Sequence, residues 1–133
     1  MKNSEIEREL RALVIISSVR FAGNMTLAMH KNKKMLTEAL TELNETRTVM
    51  CKQYAEKDEN GEAKIVDGPN GKVWDMTPEN KTAYDKEFIE LMNAVAKITL
   101  EEYNFTQAMA ELVIRKAPEI SMDEIEIING LVN

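Results

Sequence analysis

Residues Glu56, Asp58, Asn60, Gly61 and Asp67 fall at positions 1, 3, 5, 6 and 12 of a calcium-binding EF-hand loop. Such a loop needs a carboxylate at its start, a glycine at the sharp bend and a bidentate Glu at its end. Here Glu56 stands where Asp is usual, Lys64 brings a cation to position 9, and Asp67 is too short for the bidentate reach. Turn dipeptides follow, Asn60-Gly61, Gly68-Pro69 and Asn70-Gly71, where an EF-hand would continue as a helix. The stretch is therefore read as a turn and a β-hairpin, and no metal site is assigned.

The other reactive side chains are sparse. His30 is the one histidine, and Lys33 and Lys34 stand three and four positions on, which argues against a bound cation. Cys51 is the one cysteine, so neither an internal disulfide nor a Cys-based zinc cluster can form. Glu101-Glu102 and the Asp123, Glu124, Glu126 group read as surface or helix-start acids. There is no G-x-S-x-G, G-x-G-x-x-G or P-loop pattern. No catalytic residue and no cofactor is assigned. The 17 basic side chains are scattered among 23 acidic ones, giving a net charge of −6 and no basic field for nucleic acid. The basic knot His30 to Lys34 lacks neighbouring aromatics for base stacking. The polar N-terminal stretch and the short apolar run Leu13 to Ile16 supply neither a signal peptide nor a membrane span, so a cytoplasmic protein is expected.

The elements that must position any site are mostly helical. At 133 residues, with 5% aromatics and nine Met, the chain reads as one Leu/Met/Ala-packed domain over 1–133. Ile6, Leu10, Leu13 and Ile16 predict an amphipathic helix over about 4–18, with Ser4 as its cap. A break around Gly23 precedes a long helix over about 25–56, where Met29, Leu36, Leu43 and Met50 recur every seven residues. A β-hairpin spans about 62–76, carrying Val73 and Trp74. Thr77 caps a helix over about 78–96, Pro78 sits at its first position, and Tyr84, Phe88, Leu91, Met92 and Val95 form its stripe. The two longer helices are expected to run antiparallel, coiled-coil-like, with the β-hairpin at their connection. Residues 97–133 read as a small α/β extension: "AVAKITL" as a strand continuing from the preceding helix, "NFTQAMAELVIRKAPE" as a helix ending in a strand such as "ELVIRK", a stop at Pro118, and a last short helix capped by Ser121. The fold class is thus α+β, mainly helical.

With those segments placed, the chain resembles a family of short uncharacterised proteins encoded by phages and prophages of Gram-positive bacteria. The likeness rests on "NSEIERELRALVIISS", "MTLAMHKNKKMLTEALTELNETRTVMCKQYAEKDENGE", "TPENKTAYDKEFIELMNAVAKI" and "APEISMDEIEIINGLV". It implies a viral or prophage accessory protein in the bacterial cytoplasm and brings no catalytic residue with it. A non-enzymatic role through protein–protein contact is expected, in virion assembly or chaperoning, with inhibition of a host defence enzyme or nuclease as the alternative. Trp74, Val73, Met29, Met35 and His30 are the candidate contacts with a phage or host protein. The Met-rich stripes fit either core packing or a seam with a partner or a second copy.

Overall fold

The structure, a computed structural model, describes residues 1–117 and 119–133. A 3-10 turn (Asn3–Glu5) leads into α1 (Ile6–Ile16), then α2 (Gly23–Tyr54), strands β1 (Ile65–Gly68) and β2 (Gly71–Trp74), α3 (Pro78–Asn93), α4 (Gln107–Lys116) and α5 (Met122–Gly130). The fold is mainly helical with one antiparallel two-stranded ribbon, as the sequence predicts.

The 32 residues of α2 organise the molecule. A helix of that length spans about 48 Å. Its N-terminal half lies in a head built with α1, α4, α5 and the segment 94–106. Ile6, Leu13, Ile16, Met25, Met29, Leu36, Phe105, Val113 and Ile128 form one buried cluster there. Removing an aliphatic or aromatic side chain of this size from water is worth about 1.5–3 kcal/mol, so this cluster holds the head together. Its C-terminal half leaves the head and pairs with α3 as a two-helix arm. The sevenfold repeat runs through both regions: Met29 and Leu36 are buried in the head, while Leu43 and Met50 are half-buried in the arm.

Several caps act as the sequence suggests. Thr77 Oγ1 accepts the Asn80 amide at 3.1 Å, and Ser121 Oγ accepts the Glu124 amide at 3.1 Å while the Glu124 carboxylate accepts the Ser121 amide. Ser4 does not cap α1. It sits inside the 3-10 turn, Glu5 occupies the cap position without a side-chain bond, and the Glu5 carboxylate instead accepts the Lys2 amide at 2.7 Å.

The C-terminal strands are not formed, and the α/β extension is helical among the described residues. "ELVIRK" lies within α4, started by Thr106, whose hydroxyl accepts the Met109 amide at 3.2 Å. "AVAKITL" joins no named strand among the described residues and makes one isolated antiparallel bridge, Val95 with Lys2. Ala96, Ile98 and Leu100 turn inward and Lys97, Thr99 and Glu101 outward, a strand-like alternation laid against helices. Two bonds make that bridge: the Asn3 amide donates to Ala94 O at 2.9 Å and the Ala96 amide to Met1 O at 2.8 Å. The stop assigned to Pro118 lies outside the described residues.

Candidate interaction surface

The far end of the arm carries the ribbon. Tyr54 is about 18 residues beyond Leu36 on α2, or roughly 27 Å along the axis. Between them the two helices are pinned by an aromatic clasp. Tyr84 stacks on Phe88 at 5.9 Å and meets Tyr54 edge-on at 6.4 Å. The Arg47 guanidinium lies 5.1 Å over the Phe88 ring, and its Nε donates to Tyr84 Oη at 3.3 Å. Tyr54 Oη donates to Glu87 Oε1 at 2.6 Å, and Asn80 Nδ2 donates to Tyr54 O at 3.1 Å. In the arm and its connection only Cys51, Ala55 and Tyr84 are buried among the described residues.

The stretch that matched the calcium count is spent on the turn. Asp58 Oδ1 accepts the amides of Asn60 (2.9 Å) and Glu62 (3.0 Å), and Asp58 N donates to Glu62 O at 2.8 Å. Gly61 supplies the φ of +77° this bend requires, which costs glycine no Cβ clash. The chain then folds back: Glu56 N donates to Asp75 O, Lys64 N to Glu56 O and Asp75 N to Lys64 O, at 2.7–2.9 Å. Among the described residues no group of three or more His, Cys, Asp and Glu side chains could hold a metal ion.

In the ribbon Ile65 pairs with Trp74, Val66 with Val73, Asp67 with Lys72 and Gly68 with Gly71. Directly opposed residues share a face, so Ile65 and Trp74 line one side and Val66 and Val73 the other. Ile65 is 53% exposed and Val73 47%, while Trp74 is half-buried. The apolar side chains of a two-stranded ribbon have no second layer to cover them, and such a ribbon alone is marginal in water.

The remaining sequence candidates separate. Met29 is buried in the head cluster, where it serves this chain's own core. Met35 is half-buried and His30 exposed, both on the head half of α2 and far from the ribbon. The structure therefore places Val73 and Trp74 on opposite faces of one ribbon and leaves Met29, Met35 and His30 apart from it. Ile65 belongs with the ribbon pair and was missed. Its register opposite Trp74 could have been read from the Pro69-Asn70 turn.

A second feature lies in the head. An open groove of about 710 Å³ is lined by Glu9, Asn32, Glu101, Glu102 and Tyr103 among others. Burial, reinforced by Glu5, raises the Glu9 carboxyl above its ordinary range, and burial followed by the charge of Glu9 pushes the Tyr103 phenol up to about 12. Asn32, 1% exposed, donates from Nδ2 to Glu101 O at 2.9 Å and accepts the Glu101 amide on Oδ1 at 2.7 Å. Its side-chain amide thereby stands in for a neighbouring strand. The sequence signal was a polar residue within the Met25, Met29, Leu36 stripe. Both ends of Asn32 are occupied, so the groove presents carboxylates and a phenol to solvent. No family model, no curated protein and no solved structure matches the chain.

Proposed function

We propose that this chain is a non-enzymatic interaction protein that engages a protein partner through the ribbon at the end of its arm. One observation supports this above the others: Ile65 and Val73 are about half exposed on opposite faces of a ribbon held away from the head core. Exposed apolar groups beside a half-buried Trp are a common anchor for recognition. No helix among the described residues is long and apolar enough to cross a membrane. The setting we propose, a phage or prophage accessory role in the bacterial cytoplasm, comes from the sequence resemblance, as does a task in assembly or chaperoning.

The test is affinity capture from phage-infected or lysogenic cells, comparing the native chain with an Ile65→Lys/Val73→Lys variant. Capture of a phage structural protein by the native chain alone supports the assembly role. Capture of a host nuclease or defence enzyme by the native chain alone turns the role to inhibition. Equal capture by both chains removes the ribbon as the binding surface.

A further inference from the structure

We propose that the ribbon pairs with the ribbon of a second copy of this chain, β2 against β2, with Val73 facing the second copy's Val73. This rests on reading the ribbon as the binding surface and names one partner it accepts. The backbone sets the geometry. Asp75 N donates to Lys64 O at 2.9 Å, and bonded pairs recur every second residue in an antiparallel ladder. Gly71, Val73 and Asp75 therefore turn their amides and carbonyls toward β1. Lys72 and Trp74 turn theirs outward along the open edge of β2.

A closed pair of identical strands obeys a twofold axis. Normal to the sheet, that axis forces one residue to face its own counterpart. Centring on Lys72 would oppose two ammonium groups. Centring on Trp74 would set Val73 against the second copy's Asp75. Centring on Val73 avoids both conflicts. It bonds the outward backbone of Lys72 to that of the second copy's Trp74, and the reverse. On one face the row becomes Val66, Val73, Val73, Val66 without a break. On the other, each Lys72 comes beside an indole of the second copy while its own Asp67 stays at 2.6 Å, an arrangement suited to cation–π attraction. Lysine and proline on short edge strands discourage indiscriminate pairing, and only in this register does Lys72 gain a favourable neighbour.

Strands of four residues bury far less than the ~1,200 Å² of a stable interface. The association is therefore weak and is best trapped covalently. Non-bonded antiparallel partners lie about 4.5 Å apart between Cα atoms, within disulfide range. Val73→Cys and Ile65→Cys replace side chains of matched exposure, and the native chain, whose Cys51 is buried, sets the background. Under mild oxidation at high protein concentration, Val73→Cys should form a disulfide-linked dimer about tenfold faster than Ile65→Cys, given that only the first fits the required geometry. Equal rates, or no dimer from either with native circular dichroism retained, overturn the pairing. The capture experiment separates the two proposals. Partner binding lost in the lysine variant without Val73→Cys trapping removes self-pairing alone, whereas binding kept in that variant removes the ribbon reading.

Discussion

The head and the arm share a single helix but are held by different physics. In the head, α2 is surrounded: Met25, Met29 and Leu36 meet side chains of α1, α4 and the 94–106 segment in one continuous buried cluster. In the arm the same helix has one neighbour, and the contact is a line of half-buried aliphatics closed by the Tyr54, Tyr84, Phe88 and Arg47 clasp. An uninterrupted seven-residue repeat does not therefore guarantee uniform packing. What lies opposite each step decides whether it becomes core or a seam. Regions with few buried apolar contacts open at lower free energy than the global transition, so the arm should open without the head. On the function proposed above, a ribbon mounted there adapts to its partner without disturbing the fold.

The largest effect of a single substitution is expected in the head. Phe105 is fully buried and meets Phe21 edge-on at 6.4 Å. Phe105→Ala should cost about 3–5 kcal/mol, a large part of a typical 5–15 kcal/mol total. Urea denaturation would show the midpoint falling for the whole molecule, arm included. Next comes Tyr84→Ala, which removes the ring that joins Tyr54, Phe88 and Arg47. A loss of about 3 kcal/mol is expected, confined to the arm. Hydrogen exchange should then quicken across the C-terminal half of α2 and across α3 while head amides keep their protection. If head and arm amides accelerate together, the two regions form one cooperative unit and the distinction fails. Third is Asn32→Leu, which leaves the Glu101 amide and carbonyl without their partner. Unsatisfied groups cost about 1–3 kcal/mol each, and Glu101 borders an open groove, so about 2 kcal/mol in total is expected. Exchange at Glu101 should quicken more than at Phe105.

Much of this division could be read from residues alone, and each miss has its own physical reason. The caps at Thr77 and Ser121, the ribbon and the long helix are local signals: a hydroxyl, a turn, a period. Each is settled within a few residues of itself. The 94–106 segment misled because alternating burial is what a strand shows, and Ala96, Ile98 and Leu100 do alternate. The groups that satisfy its backbone are a side-chain amide from Asn32, 69 residues away from Glu101, and main-chain atoms of residues 1–3. No local pattern announces them. "ELVIRK" misled differently: Leu112, Val113 and Ile114 in a row suit a strand or a buried helix, and the decisive Thr106 cap lies outside the run. At the ribbon, Val73 and Trp74 are the contacts expected from the sequence, and the structure leaves Val73 exposed and Trp74 half-buried. Met29 reads as a contact from sequence because a methionine stripe looks alike whether it meets its own core or another protein, and here it is core.

The smallest effects lie in titration, and they also sort by region. In the head, the Tyr103 phenol is pushed up to about 12, chiefly by burial. In the arm, Tyr84 is raised by burial and Tyr54 by its bond to Glu87. Alkaline absorbance of the folded protein should show every tyrosine ionising late, and Tyr103→Phe should remove a component near 12. Between the ordinary phenol value of about 10 and that point the native state holds a proton the unfolded chain has released, so stability falls as pH rises through this window. Glu9 obeys the same sign at the acidic end. Its carboxyl is raised by burial and by Glu5, so stability falls as pH rises from the ordinary carboxyl value through its raised one, and then levels. Glu9→Gln should therefore be more stable than the native chain at neutral pH, with the gain vanishing in acid below the ordinary carboxyl range. Thermal melts of both chains across that range measure it. A gain that persists unchanged in acid would mean that side-chain packing, rather than the burial of the Glu9 charge beside Glu5, sets the difference.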